Sequence, residues 1–295
     1  MSKLVIAGGT GFLGKELLDF YSSKYNEIVV LTRGESRVSK NISYIQWDAK
    51  TIGKWHHSLD NADALINLTG KSVDCRFTKK NKELILNSRI DSTVALGKAI
   101  NLVDNPPKVW LNASSAAISH PNKEENGEDF MLYVSQEWEK AFNAITNKET
   151  RKVALRISLV FGKGGGALLP LKKITQFGLG GKQGSGNQMV SWVHSKDFVS
   201  ITNFLLENKS VNGPVVVAAP DSKSNKKLMA TIRKTLKVPF GLPSFSWMLK
   251  IGGFIIGTEP SLILNSMNVY PEKLIKNGFK FKYATLESAL KNILK

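Results

Sequence analysis

The chain has 295 residues, of which 41 are Lys or Arg and 24 are Asp or Glu, so its formal net charge is +17. The hydrophobic fraction of 42% suffices for a packed core and excludes disordered, collagen-like and coiled-coil chains. A single cysteine, Cys75, excludes a disulfide framework and a cysteine-rich metal site, and we expect no metal.

The apolar runs and the basic charge narrow the class of protein further. The first apolar run is broken by Gly8 and Gly9, and the longest, near 245–257, contains Lys250. Neither is typical of a secretory signal or a membrane-spanning helix, so we expect a cytoplasmic protein with no membrane partner. The charge comes from 34 Lys against 7 Arg spread along the chain. Nucleic-acid recognition favours clustered Arg, so we expect no nucleic-acid partner, although the positive field would attract an anionic ligand.

The first predicted elements form one βαβ unit. A buried strand over 4–7 runs into a glycine turn, a helical pattern over 15–21 follows, and a second strand covers 28–31. Further apolar runs at 42–45, 64–68, 109–111 and 153–157 alternate with helical segments near 78–102 and 128–147. This alternation predicts an α/β fold with a Rossmann-type, doubly wound parallel sheet.

The pattern changes after about residue 160. Glycine-rich stretches at 162–166 and 178–186 are typical of loops over a cleft, a strand covers 214–219, and helices follow from 221. We therefore predict a Rossmann domain over 1–160 and a smaller C-terminal α/β lobe over 161–295. The lobe is expected to be partly interleaved with the Rossmann sheet.

The glycine turn carries the first functional prediction. Gly8, Gly11 and Gly14 follow the first strand directly and open the first helix. Glycines at these places allow a tight turn and let a pyrophosphate approach the N-terminus of the helix, where backbone N–H groups bind negative charge. The alternative is a tight turn that binds no ligand.

The end of the second strand indicates which dinucleotide is bound. NAD-binding chains usually place a carboxylate there to hold the ribose 2′-hydroxyl. Here Thr32 and Arg33 end the strand, and Arg37 lies one helical turn further on. Because a guanidinium suits a 2′-phosphate, we predict NADP(H), with NAD(H) as the alternative. Both arginines could instead be ordinary surface charges.

The chain resembles the extended short-chain dehydrogenase/reductases, the group that includes nucleotide-sugar epimerases. It is most similar to an atypical subgroup described only as epimerase family proteins, which carry a small C-terminal domain of unknown function. Beside the glycine turn at 8–14, the matching segments are 66–70, 76–78, 87–89, 138–139, 156–162, 178–186, 192–197 and 277–281.

This resemblance implies further cofactor positions. The pyrophosphate would be lined by Thr10, Gly11, Phe12 and Leu13. The nicotinamide ribose would lie beside Leu68, Thr69 and Gly70 at the end of the fourth strand. Asp48 would reach the adenine, or would serve only as a turn residue.

The resemblance also implies a catalytic group of a Ser or Thr, a Tyr, and a Lys four residues after the Tyr. Ser114 or Ser115 would supply the hydroxyl. Counting back from Glu139, the acidic residue that commonly ends this motif, puts Met131 at the Tyr position and Ser135 at the Lys position. Neither side chain can do that chemistry.

A proton donor must then come from another residue, and Tyr133, His120 and His194 are the candidates. Tyr133 lies about 200° around the helix from Met131, so it is not a direct substitute. We take Ser114, Tyr133 and His120 as the catalytic set. His194 could also contact a substrate or be structural.

Arg76 and Arg89 are further candidates for contact with a substrate phosphate or carboxylate, unless they form structural ion pairs. The resulting hypothesis is an NADP(H)-dependent oxidoreductase or nucleotide-sugar-epimerase-like protein that is a monomer or homodimer. The alternative is an NADP(H)-binding sensor or scaffold with little or no turnover.

Overall fold

The main sheet has eight strands, seven of which are parallel. The structure is a computed structural model that describes residues 2–119, 130–249, 254, 257 and 259–295. The strands of the main sheet are β1 (Lys3–Ala7), β2 (Glu27–Thr32), β3 (Arg37–Ser39), β4 (Ile42–Gln46), β5 (Ala64–Asn67), β6 (Val109–Ser115), β7 (Arg151–Ile157) and β11 (Gly213–Val217). Their order is β11-β7-β6-β5-β1-β2-β4-β3, with only β3 antiparallel to its neighbour.

Helices connect these strands and cover both faces of the sheet. The α-helices of the described residues are α1 (Phe12–Tyr21), α2 (Lys79–Ile100), α3 (Phe130–Ala144), α4 (Leu168–Gln176), α5 (Ser195–Glu207), α6 (Asn225–Leu236), α7 (Ser261–Leu264), α8 (Glu272–Lys276) and α9 (Leu286–Leu294). Short 3₁₀ helices cover Lys54–Leu59 and Ala116–Ser119. None of the helices in these described ranges is long and apolar enough to cross a membrane.

Alternate residues of the parallel strands enter two separate cores. Ile6 of β1 packs with Leu17 of α1 and Phe198 of α5 on one face. Val5 packs with Leu96 of α2 and other apolar side chains on the opposite face. Because both faces are buried, the strands are apolar along most of their length, which is the pattern that predicted the sheet. The Rossmann-type fold class is confirmed.

The last part of the chain is tied to this sheet. β11 pairs with β7, and a third core joins Trp192, Met229 and Leu290. Two small sheets lie outside the main sheet. They consist of β8 (Leu159–Phe161) with β10 (Trp192–His194), and of β9 (Met189–Val190) with β12 (Lys223–Ser224). The proposed division at residue 160 stays a prediction.

Candidate functional site

The glycine turn lies at the carboxyl edge of the sheet, between β1 and α1. Gly8 has a φ of +78°, and its N–H donates to the carbonyl of Leu31 at 3.0 Å. A Cβ on Gly8 would lie 3.0 Å from the carbonyl carbon of Leu68, and one on Gly14 would overlap the backbone of Gly9. The turn therefore needs glycine both for its backbone conformation and for the close contact of α1 with β1.

The same turn leaves space where an anion would bind. The nearest atom to a Cβ placed on Gly11 is the carbonyl oxygen of Gly8, 3.7 Å away, and both Thr10 and Gly11 are exposed. Gly11 is the N-cap of α1, and as a glycine it has no side chain that could accept a hydrogen bond from the first N–H groups of the helix. The first turn of the helix also has no acidic residue. The first N–H groups of α1, which begins with Phe12 and Leu13, thus face a site suited to a phosphate.

Phe12 connects the turn to the C-terminal part of the chain. Its ring lies against the glycines that follow β8, since a Cβ on Gly162 would be 2.5 Å from Phe12 Cζ and one on Gly165 would be 2.6 Å from Phe12 Cδ2. We call the segment 162–166 the glycine socket. The stretch predicted as a loop over a cleft therefore packs on the first helical residue of α1.

At the end of β5 a buried amide positions the next backbone segment. Asn67 Nδ2 donates to Asn112 Oδ1 at 2.7 Å, and Asn67 Oδ1 accepts from the N–H of Thr69 at 3.0 Å. Thr69 Oγ1 is buried without a hydrogen-bond partner in the described structure. A buried hydroxyl without a partner costs about 1–3 kcal/mol, so a ligand oxygen beside Leu68–Gly70 would satisfy it. The residues present fit a dinucleotide here.

At the end of β2, the Thr32 hydroxyl accepts from the N–H of Gly34 at 3.2 Å. Arg33 is exposed, and none of the described carboxylates pairs with it. The prediction that Arg37 lies one helical turn further on is wrong. Arg37 begins the antiparallel strand β3, and its Cζ lies 3.9 Å from the ring centroid of Tyr44. Of the two cations, Arg33 has the freer side chain.

The carboxylate of Asp48 stabilises the turn that follows it in the chain. Its Oδ1 accepts from the N–H groups of Lys50 and Thr51, both at 2.8 Å, and its Oδ2 accepts from the Thr51 hydroxyl at 2.6 Å. The Thr51 hydroxyl and these amides lower the pKa of the Asp48 carboxyl. Of the two interpretations left open by the sequence, the geometry favours the turn residue.

Ser114 belongs to a buried charged network. Its hydroxyl donates to Glu139 Oε1 at 2.7 Å, and Glu139 also accepts from Arg156 Nε at 2.9 Å and from Arg156 Nη2 at 2.8 Å. Arg156 Nη1 donates to the Ser119 hydroxyl at 3.1 Å. With its proton committed to Glu139, Ser114 can only accept a hydrogen bond from a substrate.

Tyr133, a candidate proton donor, lies on the helix α3. Tyr133 is 41% exposed, whereas Ser135 is fully buried and its hydroxyl donates to the carbonyl of Met131 at 2.5 Å. Tyr133 therefore lies on a different face of α3 from Ser135. His120 lies outside the described residues.

Arg89 of α2 lies beneath the end of β5. Its Nη1 donates to the carbonyls of Lys71 at 3.1 Å and Ile85 at 2.8 Å, and a Cβ on Gly70 would be 3.2 Å from its Cζ. Burial lowers the pKa of the guanidinium to about 10, so it stays charged at neutral pH. No described carboxylate forms an ion pair with it.

Arg76 is exposed, and its Cζ lies 4.4 Å from the ring centroid of Phe254. It too has no ion-pair partner among the described carboxylates. Among the described residues the structure therefore shows no ion pair for either arginine, and a contact of Arg76 or Arg89 with a substrate stays a prediction.

His194 has a structural role. It is 1% exposed, its Nδ1 accepts from the N–H of Lys196 at 3.0 Å as the N-cap of α5, and its Nε2 lies 3.1 Å from Asn292 Oδ1. Burial lowers its pKa to about 4, so the ring is neutral at neutral pH. With both nitrogens engaged, His194 is not available to a substrate, and this geometry contradicts the substrate contact expected of it.

Sequence reasoning missed the pairing of Glu139 with Arg156 and the buried pair of Asn67 with Asn112. The available signal was a polar or charged residue within an otherwise apolar strand, since such a residue needs a partner when buried. In the ranges that the structure describes, no group of three or more His, Cys, Asp or Glu could hold a metal ion.

Comparison with known proteins agrees with this geometry. The sequence model of the NAD dependent epimerase/dehydratase family matches residues 4–219. The chain belongs to this family. A second model, described as a domain of unknown function (DUF1731), matches residues 245–293. The resemblance inferred from the motifs is thus confirmed, and with it the expectation of a nicotinamide dinucleotide as cofactor.

Three relatives cover nearly the whole chain. The epimerase family protein SA0724 of Staphylococcus aureus (strain N315) is 31% identical and covers 100% of both chains. The epimerase family protein YfhF of Bacillus subtilis is 31% identical over 99% of this chain and 97% of its own length. The crystal structure of the human epimerase family protein SDR39U1 (isoform 2) with NADPH is 28% identical, has a TM-score of 0.84, and covers 99% of this chain and 98% of that one.

Proposed function

We propose that this protein binds NADP(H) and acts as an oxidoreductase or nucleotide-sugar-epimerase-like protein of the extended short-chain dehydrogenase/reductase type. The observation that carries the proposal is the open, uncapped N-terminus of α1 at Gly11, beside the buried and unpartnered hydroxyl of Thr69. These two features lie at the carboxyl edge of a parallel sheet, where dinucleotides bind in this architecture.

The preference for NADP(H) rests on Arg33. Its guanidinium is exposed at the end of β2, no described carboxylate competes for it, and no carboxylate follows directly to hold a ribose 2′-hydroxyl. A planar guanidinium donates two parallel hydrogen bonds to a phosphate. The relative SDR39U1, whose crystal structure contains NADPH, supports the same choice.

In this proposal each part of the chain has a defined task. The N–H groups at the start of α1 bind the pyrophosphate, Leu68–Gly70 hold the nicotinamide ribose, and Arg33 binds the 2′-phosphate. The bound cofactor supplies or accepts a hydride. Ser114, held by Glu139, accepts a hydrogen bond from a substrate hydroxyl, and Arg156 holds the Glu139 carboxylate in place through two hydrogen bonds.

The substrate is proposed to carry an anionic group. Arg89 has donors left after its two carbonyl contacts, and it lies beside Gly70, next to the position proposed for the nicotinamide ribose. A partly buried cation such as Arg89, with which none of the described carboxylates pairs, gains from a bound phosphate or carboxylate. Arg89→Lys keeps the charge but loses the planar fork, so it should weaken the binding of such a ligand more than it weakens the binding of NADPH.

Low turnover on generic carbonyl compounds follows from the side chains at the usual donor and lysine positions. Met131 has no titratable proton, and Ser135 carries no charge to lower the pKa of a phenol. The proton donor is then Tyr133, which is partly exposed on α3, or His120. The second candidate function is an NADP(H)-binding sensor or scaffold. Met131 and Ser135 favour it, because neither can supply the usual proton-transfer chemistry.

The test measures binding and turnover separately. NADPH binding is followed by fluorescence titration, and oxidation of NADPH is followed by its absorbance with a panel of ketones, aldehydes and nucleotide sugars. Binding with turnover of one substrate class supports the enzyme, and binding without turnover across the panel supports the sensor. Failure to bind NADPH or NADH would refute both. The cytoplasmic location, the lack of a nucleic-acid partner and the monomeric or homodimeric state remain predictions.

A further inference from the structure

Two neighbouring loops expose an unusual number of large apolar side chains. One loop follows α4, and the other follows α6 and runs into the helical residues 246–249. The surface that they form, which we call the apolar tip, consists of Phe177 (83% exposed), Leu179 (41%), Phe240 (64%), Leu242 (59%), Phe245 (53%) and Trp247 (63%). A contiguous exposed apolar surface of this kind on a folded protein marks a site of interaction.

The two loops are held together by their backbones. The N–H of Leu242 donates to the carbonyl of Gly178 at 2.8 Å, the N–H of Gly181 donates to the carbonyl of Leu242 at 3.0 Å, and the N–H of Ser244 donates to the carbonyl of Lys182 at 2.9 Å. A Cβ on Gly178 would lie 3.3 Å from the ring of Phe240. The apolar side chains are therefore presented by a defined backbone pairing.

The surroundings of the apolar tip are strongly basic. The sequence has no acidic residue between Asp221 and Glu259, and seven Lys or Arg lie in that interval. On the other side, no acidic residue lies between Phe161 and Asp197. The exposed lysines nearest to the tip in sequence are Lys173, Lys182, Lys234 and Lys237.

We propose that the apolar tip binds peripherally to the surface of an anionic lipid bilayer. Aromatic and aliphatic side chains on loops can enter the boundary between headgroups and acyl chains, while lysines beside them contact the lipid phosphates. The cations are mostly lysine, which is depleted at protein–protein interfaces but common at membrane surfaces. A peripheral contact needs no spanning helix, so this proposal replaces the expectation that the protein has no membrane partner.

Trp247 provides a direct probe of the contact. The other five tryptophans are each 6% exposed or less, so a change in solvent exposure of tryptophan reports on Trp247. The full chain is mixed with vesicles of phosphatidylcholine, with or without phosphatidylserine. We expect cosedimentation, a blue shift of the emission and quenching by brominated acyl chains, all dependent on phosphatidylserine and weakened by salt. Unchanged emission with both kinds of vesicle would overturn the proposal.

Variants separate the apolar and the electrostatic contributions. Phe177→Ser with Phe240→Ser should abolish cosedimentation, and Lys173→Glu with Lys182→Glu should weaken it by at least about 25-fold, since each lysine at an anionic surface contributes about fivefold. Val38→Ser is the matched control, because Val38 is 74% exposed but lies on the edge strand β3. Urea unfolding shows that each variant is folded.

The same variants test two other possible partners of the apolar tip, an acidic protein and a second copy of the chain. Binding to polyglutamate without a blue shift at Trp247 would assign the surface to an acidic protein partner. A concentration-dependent dimer in sedimentation velocity that is lost in Phe177→Ser with Phe240→Ser would assign it to a second copy of the chain. Either result, together with vesicle binding that the paired substitutions do not change, contradicts the membrane proposal.

Discussion

Gly165 lies directly against the ring of Phe12, and a Cβ at position 165 would be 2.6 Å from Cδ2 of that ring. Phe12 is the first residue of α1, whose N-terminal N–H groups face the proposed pyrophosphate site. The glycine socket of the C-terminal part of the chain thus positions the cofactor turn of the N-terminal part.

Gly165→Ala should lower the affinity for NADPH. The added methyl group must displace the ring of Phe12 and with it the start of α1, and overpacking of this kind costs about 1–3 kcal/mol. Fluorescence titration measures the affinity, and urea unfolding measures the stability. Gly164→Ala is the matched control, because no atom lies within 4 Å of a Cβ at that position. Equal affinities of the two variants would contradict the role given to the socket.

Arg33→Ala should remove most of the preference for NADPH over NADH. In the proposed complex the guanidinium would donate hydrogen bonds to the 2′-phosphate, which NADH lacks, and such a pair contributes about 5- to 150-fold in affinity. Titration of both cofactors with both proteins gives the ratio. Arg37→Ala is the comparison, because Arg37 is stacked on Tyr44 and should have the smaller effect. An unmodified protein without preference would refute the assignment.

The buried histidine predicts a pH-dependent stability. The pKa of His194 is lowered from 6.5 to about 4 on folding, so the unfolded chain binds the proton more tightly. The free energy of unfolding should therefore fall as the pH is lowered through that window, by about 3 kcal/mol in total from this group. Urea unfolding at a series of pH values measures the slope.

His194→Asn retains a side chain that can cap α5 but removes the titration, so it should flatten the slope. His57→Asn, at an exposed position in the 3₁₀ helix Lys54–Leu59, is the control that should retain it. The same slope in His194→Asn and the unmodified protein would show that other groups cause the acid sensitivity.

The unmodified protein should reduce simple ketones and aldehydes slowly or not at all while binding NADPH. The resemblance places Met131 and the buried Ser135 at the positions that usually hold Tyr and Lys, and on that assignment no activated phenol is present there. Absorbance of NADPH under saturating cofactor gives the rate, and Tyr133→Phe tests the alternative donor. Rapid reduction of a simple ketone or aldehyde by the unmodified protein would show that this interpretation of positions 131 and 135 is wrong, and a rate that persists in Tyr133→Phe would exclude Tyr133 as the proton donor.

Much of the fold could be predicted because it depends on local patterns. The apolar runs around 4–7 and 28–31, with glycines and a helical period between them, are typical of a βαβ unit. The position of the cofactor turn within the fold follows from that unit. The antiparallel strand β3 was not predicted. Arg37–Ser39 has one apolar residue in three and is fully exposed, so it lacks the burial pattern that marks a strand.

The sequence alone determined the Rossmann-type sheet and the glycine turn, since each depends on residue types at fixed spacing. Only the tertiary structure showed that Ser114 donates to Glu139, that none of the described carboxylates pairs with Arg89 and that His194 caps a helix. Contacts between residues far apart in sequence depend on how elements pack. That packing decides which polar groups are buried, and burial decides which of them are paired and which stay available to a ligand.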